Sequence, residues 1–129
     1  MKKTKTKPKT FFSTHHEIVQ CDLEFPRFQV ELENLELEQL QELSRCIDKI
    51  EQMTWAQILA TSSRQEKRGL NWEPVTSQKT KSGGVIATIR ITKKFRARVT
   101  RDGVFMRFIS LHPDHDSAYS ETGGEHIPH

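Results

Sequence analysis

The sequence predicts an α+β fold, with a helical hairpin packed on one face of a small, mainly antiparallel sheet. Two patterns predict it. Apolar residues recur at three- and four-residue steps in the first half of the chain, and alternate with polar ones in the second half. Helices grouped ahead of hairpin strands bury their apolar sides against one sheet as two layers. At 129 residues the chain is sized for one such domain. A hydrophobic fraction of 34% beside a charged fraction of 29% places part of the chain outside the core. The expected division is a basic, largely disordered arm and lead-in over 1–24, the α+β domain over 25–119, and a flexible tail over 120–129.

Taken in order, Arg27 to Leu32 alternates, with Phe28, Val30 and Leu32 on one side, which predicts a short half-buried strand opened by Pro26. Leu37, Leu40, Leu43, Ile47 and Ile50 then share a helix face, with Asn34 as the expected N-cap. That helix ends near Gln52, because Thr54-Trp-Ala-Gln57 is a capping box flanked by a Met53/Ile58 staple. A second helix should run from there to about Arg68 and stop at Gly69 in the left-handed region. Leu70 to Thr76 is expected to be irregular or briefly extended, and Lys79 to Gly84 a polar loop.

Three strands close the pattern. Val85, Ala87, Ile89 and Ile91 alternate with polar residues, as do Phe95, Ala97 and Val99, and the third strand spans Val104 to Leu111. A turn at Asp102-Gly103 would set Arg101 against Val104, Val99 against Met106, Ala97 against Phe108 and Arg98 against Arg107. Trp55 and Phe95 fall on apolar faces and belong to the core, whereas Trp72 is left open.

Charge is sorted along the chain. Residues 1–10 carry five lysines, residues 11–55 are net −7, residues 56–101 are net +9 and residues 102–129 are net −4. Such sorting predicts one acidic and one basic surface. Arg90, Arg96, Arg98 and Arg107 share the sheet face that the helices do not cover. Like charges across a ladder are unfavourable, so they call for an anion, and a guanidinium fork suits phosphate. Beside them, His112, His115, Asp116 and Tyr119 supply groups able to move a proton. His112, His115, Asp116, His126 and His129 could ligate a metal, but their spacing fits no zinc template, so neither metal nor other cofactor is expected. Two cysteines without CxxC spacing, no apolar run of membrane length and no hydrophobic segment behind the basic N-terminus predict a cytoplasmic protein with no membrane partner.

The helical hairpin and the run Phe95-Arg-Ala-Arg-Val-Thr-Arg-Asp-Gly-Val-Phe-Met-Arg-Phe-Ile109, closed by His115-Asp-Ser-Ala-Tyr119, resemble the RelE/ParE toxin superfamily over roughly residues 27–119. The chain is similar to small RelE-like proteins of type II toxin–antitoxin systems, in which a Thr-Trp helix start precedes a basic three-strand sheet. The resemblance implies a ribosome-dependent mRNA endonuclease that inhibits translation and is held inactive by an antitoxin protein. On matching positions, Arg96, Arg98 and Arg107 would neutralise the scissile phosphate, and His115 and Tyr119 would manage the proton steps. Arg90, Arg101, Lys93 and Lys94 would complete the RNA contact. The alternative is a non-catalytic RNA- or ribosome-binding module using the same face. The lysine arm and the tail are additions to the minimal fold. The sequence leaves oligomeric state open.

Overall fold

The computed structural model describes residues 14–62 and 69–114. Among them the order is β1 (Gln20–Asp22), α1 (Pro26–Glu33), α2 (Leu37–Ile50), α3 (Trp55–Ala60), β2 (Glu73–Lys79), β3 (Val85–Arg90), β4 (Arg96–Asp102) and β5 (Phe105–His112). The strands form one sheet in the order β1-β5-β4-β3-β2, antiparallel except where β1 runs parallel to β5. The architecture is α+β, as the sequence predicts.

The expected strand at Arg27–Leu32 is instead helix α1. Pro26 occupies its first turn, where a missing N–H costs nothing, and Arg27 bridges Glu31 one turn on at 2.9 Å. The apolar residues read equally well at helical spacing: Phe28 is fully buried, and Phe25, Leu32 and Leu35 pack against the core. Val30 decides between the periods, because it is 62% exposed where a strand would bury it. Glu31 Oε1 also accepts the Leu111 amide at 2.7 Å, so α1 covers the stretch of β5 beyond the three-residue pairing with β1.

Helix α2 begins at Leu37 with Glu36 as N-cap, whose amide donates to Gln39 Oε1 at 2.9 Å. Asn34, expected in that role, ends α1 instead. The capping box that opens α3 forms as predicted: the Gln57 amide donates to Thr54 Oγ1, and the Thr54 amide to Gln57 Oε1. This helix is shorter than expected. It stops at Ala60, where Thr61 Oγ1 donates to the Ile58 carbonyl at 2.7 Å and accepts the Trp72 amide at 3.0 Å. Gly69 does adopt a positive φ of 59°. The extended stretch after it is an edge strand, β2, whose pairing with β3 shifts register between Pro74 and Lys79, and whose Pro74 is tolerated because an edge leaves some amides without a ladder partner.

The expected boundary at residue 24 falls inside the fold. Val19 is fully buried, its amide donates to the Met53 carbonyl, and Gln20–Asp22 pairs with Phe105–Arg107. The β4–β5 turn is also displaced by one residue. Asp102 faces Phe105, so Gly103 and Val104 form the loop, and Gly103 has the positive φ (62°) that its first position requires. Val99 therefore faces Phe108 and Thr100 faces Arg107; Arg98 faces Ser110 across a bulge, not Arg107. Up to the bulge each partner moves by two residues, so side chains keep their predicted faces; beyond it the shift is three, Ala97 facing Leu111 instead of Phe108, and Leu111 joins the core face.

The core lies between the helices and one sheet face. Phe28, Leu43, Ile50, Trp55 and Ile58 meet Ala87, Ile89, Val99, Met106 and Phe108. Full burial of such a side chain contributes about 2 kcal/mol. Trp55 sits edge-on to Trp72, with ring centroids 5.5 Å apart, and donates from Nε1 to the Val104 carbonyl. Trp72, whose place the sequence leaves undecided, is 7% exposed and belongs to this core.

Candidate functional site

The second sheet face is not the open arginine surface that the alternation suggests. Ile86, Thr88, Arg98, Ile109 and Ser110 are each 0% exposed, and Arg96 and His112 are 7% and 5% exposed. Arg98 donates from Nη1 to Gln78 Oε1 at 3.0 Å, inside the protein. Arg96 curls onto the β3–β4 turn, donating from Nη1 to the carbonyls of Thr92 (2.6 Å) and Lys93 (3.0 Å). Its Nε is buried without a partner. The Phe95 amide adds a bond to Thr92 Oγ1, so the turn is fixed from several sides. Arg96 is thus a rivet for the turn that carries Lys93 and Lys94.

Arg107 and Arg101 are committed as well. Arg107 Nε lies 2.9 Å from Asp22 Oδ2, and its Nη2 lies 3.1 Å from Asp102 Oδ2. The hydrogen bond that Arg107 donates to Asp22, which outweighs burial, holds the guanidinium above its ordinary pKa. Arg101 lies on the helix side: its Cζ sits 4.5 Å from the Trp55 ring centroid, and Nη2 donates to Thr14 Oγ1 at 2.7 Å. Burial pushes its pKa down. The expected RNA contact at Arg101 is therefore a clamp on the core tryptophan.

Of the proton-moving candidates, His115, Asp116 and Tyr119 lie outside the described residues. His112 is described, and its Nε2 is 2.7 Å from Ser110 Oγ. Burial, then the charges of Arg98 and Arg27, push its pKa down to about 4, so the ring is neutral at physiological pH. Cys21 and Cys46 are free thiols; burial first, with Glu51 and Cys46 adding for Cys21, pushes them up to about 12 and about 11. Neither is a thiolate nucleophile near neutrality.

Exposed positive charge gathers elsewhere. Arg45 and Lys49, one helical turn apart on α2, face Arg90 at the end of β3 and Lys93 in the following turn. Together with Glu42, Cys46, Gly69, Leu70, Ile91 and Thr92 they line a groove of about 470 Å3. The chain positions it tightly: the Arg90 amide donates to the Leu70 carbonyl at 2.7 Å, and Arg90 Nε to the Gly69 carbonyl at 3.3 Å. Arg45, Lys49 and Lys93 are exposed and make no ion pair among the described residues. Among the described residues that line it, four cations against the carboxylate of Glu42 make the groove an attractor for anions.

The groove keeps Arg90 and Lys93 from the predicted set and places Lys94 beside them in the turn. It adds Arg45 and Lys49, which the sequence pattern hides because they lie in the net-acidic block. Their four-residue spacing, off the apolar stripe of α2, is the signal that could have found them.

Among the described residues, no helix is long and apolar enough to cross a membrane. Compared with known proteins, the chain matches no family model, and no curated protein or solved structure is significantly similar to it.

Proposed function

We propose that the protein binds the phosphate backbone of RNA through the α2/β3 groove, with Lys94 extending the binding surface along the turn. The observation that carries this reading is the convergence of Arg45, Lys49, Arg90 and Lys93 on one groove. By contrast, Arg96, Arg98, Arg101 and Arg107 are taken up by internal contacts. Lysine and arginine spaced around a groove hold successive phosphates with no need for base contacts. The resemblance to RelE-like proteins makes ribosomal or messenger RNA the natural target and an antitoxin a natural partner.

Ribosome-dependent mRNA cleavage is the second reading, and one observation favours it. Neutral His112 is a proton acceptor within the same buried layer as Arg96 and Arg98, hydrogen-bonded to Ser110. Cleavage there requires that buried layer to open to the message.

The test is fluorescence anisotropy with a labelled single-stranded RNA at salt concentrations between 50 and 200 mM, a range over which binding to phosphates weakens roughly in proportion to the number neutralised. Replacing Arg45, Lys49 and Lys93 together by alanine should lower affinity at least about tenfold and flatten the log–log salt slope by about 0.7 for each phosphate left without its cation. Unchanged affinity and slope would sink the groove assignment. End-labelled message in a translation reaction separates the two readings. Ribosome-dependent cuts establish cleavage, and an intact message with bound RNA leaves a binding module.

A further inference from the structure

Helix α2 carries one apolar stripe, but among the described residues only part of it is packed. Leu43, Cys46 and Ile50 are buried and Ile47 packs on the core, whereas Leu37 and Leu40, on the same stripe, are 71% and 36% exposed. Val30, three residues before the end of α1, is 62% exposed. Single exposed leucines are ordinary. These two continue a buried stripe beyond the edge of the core, and helix propensity does not require them, since glutamine or lysine would serve as well.

The charge around the overhang is one-sided. Residues 28–44 contain five glutamates and no lysine, arginine or histidine. Glu33, Glu36 and Glu38 are exposed along the rim. That rim argues against a two-fold pairing of two copies through this surface, because an isologous contact sets glutamate against glutamate. It equally repels nucleic acid. We propose that the α1–α2 overhang is a docking surface for a cationic amphipathic helix of another protein. Aliphatic residues of that helix, at three- and four-residue spacing, would cover Leu37 and Leu40. Its lysines or arginines would meet Glu33 and Glu38. The groove draws on the C-terminal half of α2 and the overhang on its N-terminal end, so one helix presents a basic site for RNA and an acidic, apolar site for protein.

The test titrates the full chain against a labelled synthetic helical peptide with leucine on one face and lysine elsewhere, and against a scrambled peptide of equal composition. The patterned peptide should bind at least tenfold more tightly than the scrambled one. Leu37→Ser with Leu40→Ser should remove that preference, and amide shifts on peptide binding should cluster within residues 30–40. Both leucines are exposed, so the variant should melt close to the parent. Should it fail to fold, Glu33→Gln with Glu38→Gln tests the rim instead and should weaken binding by a similar factor. Equal binding of the two peptides, an unchanged preference in the variants, or shifts confined to another surface would overturn the proposal. A parent dimer in sedimentation that dissociates on Leu37→Ser would also overturn it, by naming a second copy as the occupant.

Discussion

The arginines of the central strands and the basic residues around α2 carry the same charge into opposite circumstances. Arg98 is fully buried on Gln78, Arg96 ties the turn at Thr92–Lys93, and Arg107 is held between Asp22 and Asp102. Arg45, Lys49 and Lys93 stand exposed around a groove. The first group builds and stiffens the sheet. The second is free to meet a ligand. Strand alternation tells which side a residue takes, but whether that side meets water depends on what else folds near it. For function the second fact outranks the first.

The widest separation between the two groups should appear in stability. Truncating Arg98 leaves a cavity and a Gln78 oxygen without that donor, so Arg98→Ala is expected to cost about 3 kcal/mol. Arg45 is exposed, so Arg45→Ala should stay within about 0.5 kcal/mol of the parent. Urea midpoints at equal m-value measure both. A stable Arg98→Ala protein without RNA affinity would reverse the comparison and return the ligand to the sheet face.

His112 offers a second contrast, read through pH. Its folded pKa of about 4 lies below the unfolded value near 6.5, because burial and the neighbouring arginines oppose a positive ring. The stability that depends on a neutral ring is therefore fully present above pH 6.5 and is lost as pH falls toward 4. By pH 5 the loss should be roughly 2 kcal/mol. His112→Gln keeps a hydrogen-bonding group beside Ser110 and should erase that limb of the stability profile. A parent profile flat between pH 7 and pH 5 would mean that the ring is wet, and the layer around Arg98 with it.

Much of this was legible in the sequence, and the failures have physical causes. The α3 capping box, the apolar spacing of α2 and the alternation of β3, β4 and β5 are local rules that the fold obeys. At residues 27–32 two periods fit the same apolar letters, and Pro26 with the Arg27–Glu31 pair settled the matter for helix. Strand β1 was hidden because three residues, Gln20, Cys21 and Asp22, carry almost no pattern and are placed by a long-range parallel pairing with β5. The turn slipped because Asp-Gly can sit in a two-residue loop or straddle its start, and the sequence does not distinguish a Gly103-first loop. Of the site, the basic character was readable and its address was not. Burial of one sheet face, and the meeting of α2 with the β3–β4 turn, are tertiary facts.

The smallest expected effect belongs to Arg107, which stands between the two groups. It is partly exposed, as the groove residues are, yet engaged by carboxylates, as the buried arginines are by their partners. Burial alone would raise the Asp22 carboxyl. Its hydrogen bonds from Arg107 and the Glu24 amide, with the Arg107 charge, outweigh that and bring it below the ordinary value. The Asp22 contribution is thus fully present above the ordinary carboxylate pKa near 4 and disappears only as pH falls through the lower folded value, a window distinct from that of His112. A pair this exposed stabilises by at most about 1 kcal/mol, so Asp22→Asn should cost no more than that in a thermal melt at neutral pH. RNA affinity should change by less than about twofold, the effect of removing one charge away from the groove. A tenfold gain on Asp22→Asn would show that releasing Arg107 creates the better phosphate ligand. The strand arginines would then be a held reserve of the binding surface, and the division between the two groups would be one of regulation instead of burial.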